Sequence, residues 1–111
     1  MTKPTPIPLL QGTLDLIVLQ LLRAEPTNGY DLAQRIETIS RDVLTINAGS
    51  LYPALYRLEE KRFIRAEWGV TENKRRARYY DLTAAGRAHL KAEAAKWNVF
   101  ATTISEILEF A

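Results

Sequence analysis

The stretch "GVTENKRRARYYDLT", Gly69–Thr83, places four basic side chains, Lys74, Arg75, Arg76 and Arg78, within five residues. The polar run "TENKRR" separates "FIRAEWGV" from "ARYYDL", and both of these alternate and are rich in aromatic and branched side chains. Period-two alternation on either side of a polar turn predicts a two-stranded hairpin with its charge at the tip. A protruding tip lets Lys and Arg meet phosphates without burying charge among apolar groups. Arginine also fits a narrow minor groove, where negative potential is enhanced.

The segment before the hairpin is "AGSLYPALYRLEEKR". Leu51, Leu55 and Leu58 share one helical face, and Gly49, Ser50, Pro53, Tyr56, Arg57 and Glu60 share the other. Pro53 is expected near the first turn, since deeper in a helix it removes a bond and clashes with a carbonyl. The N-cap is then either Asn47 or Ser50. Further upstream, "QGTLDLIVLQLLRAEP" repeats Leu14, Ile17, Val18, Leu21 and Leu22 at helical spacing, with Leu16 and Leu19 off that stripe. A helix apolar on two sides needs two partners: its own core, and another helix or subunit. Pro26 ends it. "TNGYDLAQRIETIS" opens a second helix, with Asn28 as N-cap and Asp31 able to return the bond as a capping-box variant. Leu32, Ala33, Ile36 and Ile39 form its narrow stripe. "DVLTIN" is at most a stub of strand.

After the hairpin, Thr83 can cap a last helix, "AAGRAHLKAEAAKWNVFATTISEILEFA". Leu90, Ala94, Trp97, Ala101, Ile104, Leu108 and Ala111 recur at heptad a/d spacing. No later element of the sequence is read to cover that seam, and Val99, Phe100 and Ile107 add apolar surface beside it. The order is helix, helix, stub, helix, basic hairpin, long helix. This is a mainly α chain with a small β-hairpin (α+β): a winged helix-turn-helix head followed by a long C-terminal dimerisation helix. The expected division is a flexible arm over residues 1–8, a DNA-binding head over 9–83 and the dimerisation helix over 84–111. In such a head the third helix enters a major groove and the hairpin reaches the flanking backbone or minor groove.

Composition agrees with this. A chain of 111 residues, 47% apolar, is one domain with a real core. The window from Arg57 to Arg78 holds eight basic and four acidic side chains and is therefore +4, in a chain whose net charge is +2. A basic face on a near-neutral protein points to a polyanion, or else to a solvated charged hairpin. No stretch of about 18 apolar residues appears, so no membrane span is expected. "MTKPTPIP" lacks the apolar core of a signal peptide. Cysteine is absent, which excludes disulfides and fits a cytoplasmic setting.

Catalytic groups are scarce. His89 is the single histidine and has no spaced ligand partner. There is no phosphate-binding or dinucleotide fingerprint, and the carboxylates lie scattered among bases. No enzyme activity, metal or cofactor is expected.

The expected DNA-facing set is Tyr30, Ser50, Tyr52, Pro53, Arg57, Lys74, Arg75, Arg76 and Arg78. Ser50 and its helix N-terminus can donate to a phosphate. Arg57 either pairs with a guanine or holds a phosphate. Pro53 and the tyrosines offer apolar contact to thymine methyls or sugars, although Tyr52 is as compatible with the core. The expected dimerisation set is Leu16, Leu19, Leu90, Ala94, Trp97, Ala101, Ile104 and Leu108.

The stretches "LLQGTLDLIVLQLL", "NGYDLAQRIE", "NAGSLYPALYRLEEKRFI" and "ENKRRARYYDLTAAG" resemble the PadR family of bacterial transcriptional regulators, over about residues 9 to 97. "GSLYPALYRLE" and "RRARYYDLTAAG" are the most specific of these. The resemblance implies a homodimer whose C-terminal helix crosses to the partner's first helix. It also implies promoter binding, usually repression, with release by a small molecule in many members; two identical heads on one two-fold axis are then expected to read an inverted repeat in double-stranded DNA. One long C-terminal helix resembles the family's short subclass. Trp97 then has two readings: it fills the dimer core, or it lines a central slot where an aromatic or phenolic effector stacks. The reading from another class is a winged-helix module that binds a protein and no DNA.

Overall fold

The computed structural model describes residues 7–8 and 11–110. The chain runs β1 (Ile7–Pro8), α1 (Gln11–Ala24), β2 (Thr27–Asn28), α2 (Gly29–Ile39), β3 (Leu44–Thr45), α3 (Ala48–Glu60), β4 (Ile64–Val70), β5 (Arg76–Leu82) and α4 (Ala84–Glu109). Three helices, a strand pair and a long last helix are the expected winged-helix order. The expected arm lies outside the described residues except for Ile7 and Pro8, which pair in parallel with Leu44 and Thr45.

Three asparagine and threonine caps start the helices. Asn28 Oδ1 accepts from the Asp31 N–H at 2.8 Å, and Asn28 Nδ2 donates to Asp31 Oδ2 at 3.2 Å. The reciprocal bond thus uses the side-chain amide. The Asn28 backbone belongs to a strand instead. Asn47 is the N-cap of α3, its Oδ1 accepting from the Ser50 N–H at 2.9 Å. Pro53 is therefore not in the first turn but the sixth helical residue. It cannot donate to the carbonyl of Gly49, which leaves that carbonyl open on an exposed face. Thr83 caps α4, accepting from the Gly86 N–H at 3.0 Å while donating to the Arg62 carbonyl at 2.7 Å.

The expected two-stranded hairpin is one strand short. β2 pairs antiparallel with β5, making a three-stranded sheet in the order β2-β5-β4. Two residues between a helix end and a cap are too few to show a period, so only the fold reveals this strand. Thr27 and Asn28, which form it, are both buried.

The core gathers Leu14, Val18, Leu19 and Leu22 of α1 with Leu32 and Ile36 of α2, Leu51, Leu55 and Leu58 of α3, Ile64, Tyr80 and Leu82 of the sheet, and Leu90 of α4. α1 is central and touches α2, α3, β5 and α4. Its second apolar side is therefore covered largely by its own chain. Two expected dimer residues need correction for this reason. Leu19 is 1% exposed and Leu90 is 4% exposed within a single chain, so neither has surface left for a partner.

Gly86 sets how closely α4 meets the head. A Cβ there would overlap the Phe63 carbonyl oxygen and come within 2.8 Å of Leu82 Cδ1. Beyond Leu90 the helix runs on for most of its 26 residues; at about 1.5 Å per residue the whole helix is a rod of ~39 Å. Trp97, Val99, Phe100, Ile104, Ile107 and Leu108 on that rod are exposed, Leu108 at 79%.

Candidate nucleic-acid interface

The wing is built by register. Ile64, Ala66, Trp68 and Val70 of β4 stand opposite Leu82, Tyr80, Arg78 and Arg76 of β5. Alternation puts these eight side chains on one face of the sheet. The strands are joined through Thr71, whose N–H donates to the Arg75 carbonyl at 2.8 Å and whose carbonyl accepts from the Lys74 N–H at 2.9 Å. Lys74 has φ 58°, in the left-handed region usually given to Gly or Asn. The turn thus holds its charged residue at some backbone cost.

Among the basic side chains of this region, Lys61 and Arg62 are exposed at the end of α3, and the others differ in their pairing. Arg57 Nη2 donates to Asp15 Oδ1 of α1 at 3.0 Å, with both side chains mostly buried. Its Nε is buried with no hydrogen-bond partner among the described residues. Arg78 Nη2 donates to Glu59 Oε2 of α3 at 2.7 Å, and its guanidinium lies 5.8 Å from the Tyr80 ring centroid. Arg65 is paired with Asp81 at 3.4 Å. By contrast Lys74, Arg75 and Arg76 are exposed and form no ion pair among the described residues. Arg76 lies over the Trp68 ring, 4.6 Å from its centroid.

Two of the expected contact residues are engaged within the chain. Arg57 braces α3 against α1, and Arg78 braces the wing against α3. Each guanidinium spends one Nη2 donor on a carboxylate of its own chain, and Arg78 keeps 43% of its side chain exposed. Replacing Arg57 by Ala is expected to lower stability by about 1–3 kcal/mol, because Asp15 loses its donor in a mostly buried site. The urea midpoint reports the loss. Specificity among DNA sequences, read by competition binding, is expected to stay as in the wild type.

Tyr30, Ser50, Tyr52 and Pro53 are all exposed. Tyr52 nevertheless has a packing role: its ring lies over Gly29, where a Cβ would come within 2.9 Å of Cε1. It thereby ties the first half of α3 to the start of α2. Tyr30 accepts from Gln34 Nε2 at 2.8 Å. From Tyr30 and Asp31 a cleft of about 700 Å³ runs to Arg75 and Arg76 at the wing tip. The open side of α3, the start of α2 and the wing tip are therefore contiguous. Tyr56 belongs on this surface too: it lies on α3 and is 65% exposed. Helical spacing puts it on the outer face, and only its exposure marks it as a contact candidate. Burial pushes the Tyr80 phenol above its ordinary 10.0, against the pull of Arg78, so Tyr80 remains a neutral part of the wing's base.

A second surface lies where α4 leaves the head. Asp15, Leu16, His89, Glu93, Trp97 and Phe100 line a groove of about 480 Å³ between α1 and α4. Trp97 and Phe100 have ring centroids 5.8 Å apart. His89 stacks on Phe63 at 4.2 Å with the rings nearly parallel. Ala94 and Ala101 are half-buried on the seam, and Ala111 lies outside the described residues. Among the described residues no helix is long and apolar enough to cross a membrane.

Comparison with known proteins bears on this arrangement. Residues 18–92 match the family model described as "Transcriptional regulator PadR-like family". A protein from Lysinibacillus sphaericus is 30% identical over 89 residues, covering 80% of this chain and 82% of its own length. Among solved structures, a protein of Streptococcus mutans UA159 superposes with a TM-score of 0.83 at 28% identity, covering 95% of this chain and 94% of that one. A PadR family transcriptional regulator from Eggerthella lenta superposes with a TM-score of 0.77 at 33% identity, covering 91% of this chain and 86% of that one.

Proposed function

This chain belongs to the PadR-like family of transcriptional regulators, and on that premise we propose that it is a homodimeric, sequence-specific DNA-binding regulator of the cytoplasm, a repressor released by a small molecule, with no enzymatic activity. The observation that carries the reading is the separation of its cations. Arg57, Arg65 and Arg78 are matched by acids, whereas Lys74, Arg75 and Arg76 at the end of the wing have no ion pair among the described residues. Unpaired cations concentrated on one projecting turn are suited to phosphates.

In this reading residues 9–83 are the DNA-binding head and 84–111 the dimerisation helix. Ser50, Tyr52, Pro53 and Tyr56 of α3 face the major groove, with Tyr30 at its margin. Two heads on one two-fold axis read an inverted repeat whose half-sites are about one helical turn, ~34 Å, apart. Leu16, Ala94, Trp97, Ala101, Ile104 and Leu108 meet the partner. The α1–α4 groove beside Trp97 supports a further part of the reading, an aromatic or phenolic effector stacking there. Such a ligand shifts DNA affinity only by the extent to which it prefers one arrangement of the two heads. Titration with planar aromatics, read as a change in DNA affinity, tests that part separately.

Selection of bound DNA from a random pool tests the whole. An inverted repeat with the stated spacing is the expected product. The wing's share is read from salt dependence. The pair Lys74→Asn and Arg75→Ala removes two charges, and asparagine suits the left-handed backbone at position 74. The slope of log affinity against log salt is expected to fall by roughly 0.9 for each phosphate that is no longer neutralised. Absence of salt-sensitive binding to any DNA would favour the protein-binding module instead.

A further inference from the structure

The wing carries an apolar surface that a charged tip does not require. Along the face shared by Ile64, Ala66, Trp68 and Val70, burial falls from the core outward. Ile64 is 2% exposed, Trp68 is 59% exposed and Val70 is 68% exposed. The opposite strand repeats the gradient, with Leu82 and Tyr80 buried and Arg76 exposed. The inner end of this face packs on the helices, and Arg78 ties it to Glu59 of α3. Its outer end therefore continues the side of the sheet on which α3 lies. Isolated apolar side chains on a surface are ordinary. Here two large ones adjoin, and the Arg76 guanidinium is laid over the indole at 4.6 Å.

We propose that Trp68, with Arg76 stacked on it, is a DNA-contacting residue: a flat apolar platform that meets deoxyribose and base edges in the minor groove beside the half-site and aims the guanidinium into that groove. This rests on the DNA-binding reading above and adds to it the residue that sets how the wing seats. Stacking on an indole holds a guanidinium in a fixed plane while leaving its donors outward. The occupant is DNA by charge: Arg76 lies on the platform, Lys74 and Arg75 precede it in the same turn, and none of the three is paired with an acid among the described residues. Apolar side chains set against sugars or base steps, together with Arg, are how proteins use the minor groove.

The two residues contribute in ways that salt separates. Trp68→Ala is expected to weaken binding of the selected DNA about tenfold at every salt concentration, with the salt slope unchanged, as for removal of an aromatic stacking partner. Arg76→Ala is expected to lower the slope by roughly 0.9, as for one phosphate or groove cation. A second measurement uses the wild-type protein, so that it does not depend on the folding of a variant. The indole N–H resonance of Trp68 is identified by its disappearance in Trp68→Phe. Saturating DNA is expected to shield it from a soluble paramagnetic agent. An indole equally accessible in the DNA complex, or wild-type affinity in a folded Trp68→Ala, would overturn the proposal and leave the DNA-binding reading standing. Failure of the wild type to bind any DNA in the pool would overturn both.

Discussion

Glutamate in place of Ile104 is expected to leave this protein a folded monomer at concentrations where the wild type is a dimer. Past Leu90 the α4 helix leaves Phe100, Ile104, Ile107 and Leu108 exposed among the described residues. In the proposed dimer these side chains meet the partner. A carboxylate at position 104 would then be buried without a counter-charge, which costs about 3–5 kcal/mol. That corresponds to a factor of roughly 10²–10⁴ in the dimer Kd, with both copies affected. The head keeps its fold, since Ile104 lies beyond the last residue of the core. Sedimentation equilibrium over the micromolar range reads the change, and Asn98→Glu, at an exposed polar position of the same helix, is expected to have little effect. A wild-type protein that sediments as a monomer would rule out the dimer.

Alanine at Gly86 is expected to destabilise the fold more than any other methyl group added to a glycine of this chain. The added carbon meets the Phe63 carbonyl, which cannot withdraw freely because it also accepts from the Thr83 N–H at 3.1 Å. Thr83 is held in turn by its bond to Arg62. α4 must therefore lift from the corner between α3 and β4. Overpacking costs about 1–3 kcal/mol where side chains can adjust, and a backbone neighbour places this site at about 3 kcal/mol. For a domain of this size the melting temperature should fall by roughly 10–20 °C. Gly12 is the control. It is also helical, but a Cβ there meets nothing within 4 Å, so Gly12→Ala should raise stability by up to about 1 kcal/mol. Equal effects at the two positions would contradict the close approach at Gly86.

How legible the fold is in the sequence varies by element. Alternation marks the wing, and its register pairs Ile64 with Leu82 through to Val70 with Arg76. Heptads mark the last helix, as does Thr83, whose hydroxyl does cap it. The end of α3 is harder to see. Arg62 takes the left-handed position, φ 62°, and the Phe63 N–H closes on the Leu58 carbonyl at 3.0 Å. A glycine there would have signalled this stop, but an arginine does not. The strand Thr27–Asn28 leaves no local mark, because it is defined by its partners Tyr80 and Tyr79, far along the chain.

The sequence by itself determined the order of elements, the helix starts at Asn28 and Thr83, the basic turn of the wing and the apolar stripe of α4. These follow from periodicity and capping, which act between residues a few positions apart. Tertiary structure was needed to choose among chemically identical side chains. Arg57 and Asp15 are 42 residues apart in sequence, and Arg78 and Glu59 are 19 apart, yet these pairings tie two arginines of the candidate contact set to acids of their own chain. Leu19 and Leu90 match the seam in pattern, but α1 and α4 bury them within one chain. Charge and apolarity are properties of a residue. Whether either remains available to a partner depends on which distant group folds against it.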